Sequence, residues 1–274
     1  MLEALGEIAP ASKALEASSI WTRLGEFTPA RIGVAPTGVS QPTDAHLAFQ
    51  WDHAQARDAV GSLLDLDGLR TSLGDLGMEP LALHSEAADR AEYIQRPDLG
   101  RRLNPASLDQ LARTPGGWDV VFVIADGLSA TAANRHAAPL LSAVLPALRN
   151  SQWKIGPAVL IEQGRVAVGD AVAEALGADM AVVLIGERPG LTTPDSLGVY
   201  LVWRPRGAVA DSQRNCLSNI RPEGLPYPIA AARLLYLMRE ARRRHISGVH
   251  LKEEADLSPI SFHSDPGLPG APAL

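Results

Sequence analysis

Three stretches bring together residue types able to hold a polar ligand. They are Gln163-Gly164-Arg165-Val166, Gly186-Glu187-Arg188-Pro189-Gly190, and a segment that starts at Arg204 and ends in Asn215-Cys216-Leu217-Ser218-Asn219. Each is read as a loop leaving the carboxyl end of a strand. In an open α/β sheet, ligands bind beyond the carboxyl ends of parallel strands, so three such loops line one crevice. Glu187 offers a carboxylate that accepts hydrogen bonds, Arg165 and Arg188 donate, and Val166 and Cys216 offer apolar cover or backbone groups. The residue types alone leave plainer readings open: Glu187 as a surface partner of Arg188, Val166 as ordinary packing, and Cys216 as a buried free thiol.

A further turn, Asp126-Gly127-Leu128-Ser129-Ala130-Thr131, has two readings. Its amides could cradle the phosphate of a substrate, with Ser129 as nucleophile in a free-standing α/β enzyme. Alternatively, Ser129 caps the helix that follows. The Gly-x-Ser-x-Gly elbow is missing, which favours the cap. No strand is followed by Gly-x-Gly-x-x-Gly or a Walker loop. His46 and His53 are two helical turns apart, too far for the one-turn histidine spacing of a zinc-protease helix, and read as packing or surface residues. Asp44-Ala45-His46-Leu47-Ala48-Phe49 begins like the Asp-x-His-x-x-Gly cobalamin motif, but Phe49 stands where that motif has glycine.

The elements that must position these loops follow from periodicity. Apolar, β-branched runs at 120–125, 158–162, 181–185 and 199–203 predict strands, and 130–148, 170–176 and 228–244 predict helices between and after them. This alternation predicts an α/β domain over 104–250 with a doubly wound, mainly parallel, Rossmann-like sheet. Upstream, Thr43 is a good cap for a helix at 44–60 with Leu47, Trp51 and Ala54 on one face, and 63–73 and 85–93 also read as helix. Residues 28–103 are therefore expected to form a small helical domain, after a partly disordered leader at 1–27. The Pro- and Gly-rich end, 251–274, is expected to be disordered. Between these, Arg96, Arg101 and Arg102 gather around Asp98, as an anion or subunit contact or as a solvated linker.

Composition bounds the function. The chain has 274 residues, 46% of them hydrophobic, and a net charge of -6, which excludes non-specific nucleic-acid binding through a basic face. No apolar run approaches the about 18 residues of a membrane span, and no secretory signal is recognisable. The single cysteine makes no internal disulfide and suits the cytoplasm. The expected partner is a small molecule or another protein.

The ordered set Ala30-Arg31-Ile32, Asp52-His53-Ala54-Gln55-Ala56-Arg57-Asp58, Arg96-Pro97-Asp98-Leu99-Gly100-Arg101-Arg102, Asp126-Gly127-Leu128-Ser129, Gly164-Arg165-Val166, Gly186-Glu187-Arg188-Pro189-Gly190 and Asn215-Cys216-Leu217-Ser218-Asn219-Ile220 resembles the small subunit of ethanolamine ammonia-lyase over residues 28–250. The resemblance implies an adenosylcobalamin enzyme that converts ethanolamine to acetaldehyde and ammonia by a radical mechanism. It also implies a partner, the large subunit, which holds most of the ethanolamine site. The small subunit closes over the corrin and supplies no general acid or base. Carried over by motif, the family's cobalamin contacts fall on Val166, Glu187 and Cys216. The corrin rim carries amides that need acceptors, and its methylated body needs apolar cover.

Members of the family often read Gly-Arg-Ala-Gly where this chain has Ala35-Pro36-Thr37-Gly38, so a contact of that arginine with the large subunit is expected to be lost. The leader is not the long extension that some members carry. A bacterial microcompartment is the location that the resemblance adds to the cytoplasm.

Overall fold

The computed structural model of the chain describes residues 21, 23–28, 30–32, 39–207 and 209–252. Most of the expected leader, the departure at residues 35–38 and the expected tail beyond 252 lie outside the described residues.

Helix α1 (Thr43–Gly61) leads to α2 (Leu66–Asp75), whose cap Asp65 accepts the amide of Gly68. Strand β1 (Pro80–His84) follows, then α3 (Arg90–Gln95), a single 3-10 turn at Leu99–Arg101 and α4 (Pro105–Ala112). Next come β2 (Val120–Ala125), α5 (Ala130–Asn150), β3 (Ile155–Glu162), α6 (Val168–Ala175) and β4 (Met180–Gly186). Then come β5 (Leu197–Trp203), β6 (Asn215–Ile220) and α7 (Tyr227–Arg244). The four strands expected from sequence and the helices after residue 104 are all present. Residues 28–103, expected to be helical, also supply β1, and the expected helix at 85–93 begins instead at Arg90. A five-residue, Pro-led strand is too short to show a period.

The six strands form one sheet in the order β1-β3-β2-β4-β5-β6. Strands β1, β3, β2 and β4 are parallel, whereas β5 runs antiparallel to β4 and β6 antiparallel to β5. The expectation of a doubly wound, mainly parallel, Rossmann-like sheet is thus corrected to a mixed α/β sheet. The cause is the connection after β4. Residues 187–196 contain no helix, and a parallel return needs a crossover of about a dozen residues or more.

Both central strands are buried along their whole length, which explains why they read as continuous apolar runs rather than alternating ones. On one face Phe122, Ile124, Val182, Leu184, Val199 and Leu217 pack under α2, α5 and α7. On the other, Val121, Val123, Val159, Ile161 and Val183 pack under α4 and α6. That second cover stops near β4. Past it, Tyr200 on β5 is only partly buried and Cys216 on β6 is exposed.

The margin of the uncovered region is fixed by a buried ion pair. Arg214, just before β6, donates through both terminal nitrogens to Asp170 in the first turn of α6, at 2.7 and 2.5 Å. Both residues are 8% exposed. Removing one partner leaves the other charge buried and unpaired, so Asp170→Ala is expected to cost about 3–5 kcal/mol in urea unfolding. Asp170→Leu combined with Arg214→Met is expected to recover most of that loss.

Candidate functional site

The parallel strands place the ends of β1, β3, β2 and β4 at one edge of the sheet. The turn after β2 and the loop after β3 are locked together by Asp126, which is 1% exposed. Its two carboxylate oxygens accept the amides of Gln163 and Gly164 at 2.8 and 2.9 Å. Burial pushes the Asp126 carboxyl above the usual carboxylate range, while those amides and the Arg90 guanidinium act against the shift. Arg90 sits 3.7 Å from the carboxylate and donates to the carbonyls of Gly127 at 2.8 Å and Val60 at 2.6 Å.

Below them Tyr93 is fully buried, with the Arg90 and Arg165 guanidinium carbons 4.7 and 4.3 Å from its ring centroid. Its hydroxyl donates to the carbonyl of Gly164 at 3.2 Å. Arg165 is thereby held by the aromatic ring and by the Tyr93 carbonyl, to which it donates at 3.3 Å. Its Nε is buried and has no hydrogen-bond partner among the described residues.

Glu187 stands at the exit of β4. Its Oε2 accepts the Ser196 hydroxyl and the amide of Asn219, the latter at 3.2 Å, so one oxygen ties β4 to the start of β5 and the end of β6. Oε1 accepts no hydrogen bond from another described residue. Arg188 is exposed and makes no ion pair with Glu187, which removes the surface-pair reading. Gly186 permits this approach: a Cβ there would collide with the carbonyl of Ser129.

Two adjoining cavities, of about 440 and 170 Å³, share Arg165, Val166 and Tyr200. The larger also reaches Arg101, Arg214 and Cys216. The smaller reaches Tyr93, Glu187 and Arg188. Val166, Glu187 and Cys216 therefore border one groove, but not by the route expected from sequence. The segment after Arg204 leaves β5 at the opposite edge of the sheet, where the Arg204 amide donates to Asp179, and then folds back. Cys216 lies within β6 rather than in a loop. It is opposite Tyr200, which is in turn opposite Val183, so its side chain lies on the face that the helices leave bare. Partial desolvation beside Tyr200 pushes the Cys216 thiol up, and the Tyr200 hydroxyl only partly opposes this. A protonated thiol suits apolar contact better than nucleophilic attack.

Tyr200 is the central residue that the sequence reading missed. Its one signal is a phenol at an alternate position of an otherwise apolar strand. Of the clustered arginines, Arg96 pairs with Asp98 at 2.7 Å and Arg102 with Glu86 at 2.6 Å. The Arg96 hydrogen bonds hold the Asp98 carboxyl down at about 2. Arg101 has no ion pair among the described residues and faces the groove.

The turn at 126–129 offers no anion cradle. The amides of Leu128 and Ser129 already donate to Gly186 and Asp126 at 3.0 and 3.2 Å. Ser129 is fully buried and caps α5 by accepting the Ala132 amide, while its hydroxyl donates to the carbonyl of Pro194 at 2.7 Å. That bond helps to clasp the loop carrying Glu187. Asp195 adds to it, 2.9 Å from the Arg135 Nη1 and 3.5 Å from the His136 Nε2, and His136 Nδ1 meets the Tyr227 hydroxyl at 2.7 Å. A separate cavity of about 600 Å³ opens at the other edge of the sheet beside Trp118 and Trp153, away from these residues.

The family model described as "Ethanolamine ammonia-lyase light chain (EutC)" matches residues 18–252. The ethanolamine ammonia-lyase small subunit of Pseudomonas fluorescens is 51% identical over 254 residues, 91% of this chain and 93% of that one. That of Pseudomonas putida is 55% identical over 241 residues, covering 86% and 89%. That of Azotobacter vinelandii is 54% identical over 242 residues, covering 87% and 90%.

Asp126→Asn sets an amide NH2 against one of the two loop amides, and the expected loss of stability is about 1–3 kcal/mol by urea titration. Burial pushes the His136 imidazole below its ordinary value of 6.5, with Asp195 opposing. A histidine with a depressed folded pKa contributes stability that is complete above the unfolded value and is lost as pH falls toward the folded one. Stability should therefore decline as the pH falls below about 7, and His136→Gln should flatten that part of the profile. An equal slope in the variant would assign the acid lability to other groups.

Proposed function

The chain belongs to the ethanolamine ammonia-lyase light-chain family, and from that premise we propose that its groove holds one side of adenosylcobalamin at the junction with a large subunit. The assembled complex converts ethanolamine to acetaldehyde and ammonia. The observation that carries this reading is the meeting of Val166, Glu187 and Cys216 on one groove, with Glu187 Oε1 left without a partner among the described residues.

The residues fit the group. A corrin presents a ring of amides around a flat apolar body, and the groove offers an acceptor in Glu187, apolar cover in Val166 and Cys216, and donors in Arg101 and Arg165. Cavities of about 440 and 170 Å³ cover only part of so large a cofactor, as expected of a chain that supplies one wall. Adenosylcobalamin, when bound, supplies the radical chemistry of the deamination. The residues of this chain bind and orient. Ser196 and the Asn219 amide hold the Glu187 carboxylate through Oε2, which leaves Oε1 free to accept from the cofactor, and the Tyr93–Arg165 stack steadies the residue before Val166. The partner closes the groove to water. Ethanolamine is held mainly by that partner, and neither a membrane nor nucleic acid enters the function. Among the described residues no helix is long and apolar enough to cross a membrane.

Co-expression with a cognate large subunit is expected to give ethanolamine turnover that requires both this chain and adenosylcobalamin. In the assembled complex Glu187→Ala is expected to weaken adenosylcobalamin binding about tenfold, the loss of one charged acceptor, as read by equilibrium titration of the cofactor's absorbance. Unchanged affinity would reduce the chain to a scaffold that does not touch the cofactor.

A further inference from the structure

The arginines that gather around Asp98 in the sequence part company in the structure. Arg96 is engaged by Asp98 and Arg102 by Glu86, whereas Arg101 borders the larger cavity of the groove and has no ion pair among the described residues. Arg165 stands beside it for a local reason. Its amide donates to the carbonyl of Gly100 at 2.7 Å, which ties the residue before Arg101 to the loop after β3. Gly100 permits the approach, since a Cβ there would lie 2.9 Å from Arg165 Cγ and from the Tyr93 ring. Arg165 also has no ion pair among the described residues. Its guanidinium rests on the Tyr93 ring and on one backbone carbonyl, with the buried Nε unpartnered.

The other charges at this cavity do not cancel that pair. Arg214 is neutralised by Asp170, and Asp211, its side chain 98% exposed, leans toward Arg214 Nε, 3.9 Å away. Two uncompensated guanidinium groups side by side repel each other and favour an anion between them, and their planar forks match the oxygens of a phosphate. At the smaller cavity the fixed charge is the Glu187 carboxylate, with Arg188 exposed next to it in the chain. The groove is thus polarised along its length. The cofactor proposed for it has the same asymmetry: its corrin edge carries uncharged amides, and its only anionic group there is the phosphodiester that joins the nucleotide tail.

We propose that Arg101 and Arg165 form the subsite for that phosphodiester, so that the nucleotide tail lies toward the turn at Leu99–Arg101 and the corrin amides toward Glu187. The inference rests on the functional reading above and adds to it which way round the cofactor lies.

The test compares three corrinoids on the complex with a cognate large subunit, by equilibrium titration of their visible absorbance: adenosylcobalamin, adenosylcobinamide phosphate, which keeps a phosphate but no nucleoside, and adenosylcobinamide, which keeps neither. Arg101→Gln is expected to weaken the first two about tenfold, the loss of one charge-assisted hydrogen bond, and to leave the third unchanged. Arg101→Lys, which keeps the charge, should recover most of the loss. Arg165→Gln should show the same selectivity. Because Arg101 is exposed and unpaired, its variants should keep the melting temperature of the unaltered chain, so they decide the matter even if loss of the Tyr93 stack destabilises Arg165→Gln. Glu187→Ala, which removes an acceptor for corrin amides, should weaken all three corrinoids alike. An equal loss for all three in Arg101→Gln, or no loss for adenosylcobalamin, would overturn the inference and leave the functional reading standing. If the unaltered complex binds none of the three, the functional reading falls and this inference falls with it.

Discussion

The reversal of the chain after β4 is the constraint on which the rest of the site depends. Residues 187–196 are too short and too rich in proline to carry a crossover helix, so β5 returns antiparallel and β6 follows it. Helices α4 and α6 cover one face only as far as β4, and the antiparallel pair extends beyond their shelter. A longer, helical crossover there would cover the face on which Tyr200 and Cys216 lie. The groove is thus a consequence of connection length, and the residues that line it are those the uncovered face happens to present.

The shape of that groove also requires the loops around it to hold still. Asp126 does this at some cost, because a carboxylate that is 1% exposed is expensive to bury unless its oxygens are satisfied. Two loop amides and a nearby guanidinium satisfy them, and the same arrangement fixes Gln163 and Gly164 immediately before Arg165 and Val166. The Tyr93 ring between two guanidinium groups continues the lock into the segment upstream. On the other side of the groove, Ser129, Arg135 and His136 clasp the loop that presents Glu187. Both walls are therefore positioned by polar contacts, buried at Asp126, Tyr93 and Ser129 and partly exposed at Arg135, with the groove between them open.

This division suits a subunit rather than a complete enzyme. Glu187 and Arg165 at the groove are each held by contacts on one side, which keeps their remaining polar atoms in place for a ligand.

Much of this was legible in the sequence. The apolar β-branched runs showed the central strands because burial on both faces removes the need for alternation, and Ser129 showed itself as a cap because a hydroxyl before a helix has a free amide to accept. The ordered motifs showed the family, and they singled out Val166, Glu187 and Cys216. Strand β1 stayed hidden because five residues led by proline carry no period, and β6 because its polar residues read as a loop. Sequence alone named Val166, Glu187 and Cys216 and what each could accept or cover, and it left Tyr200 unnamed. Only the tertiary structure decided how they meet. Strand direction depends on the length and content of the connections, and the neighbours of Cys216 depend on its register with Tyr200. Both properties arise between segments, where no local pattern records them.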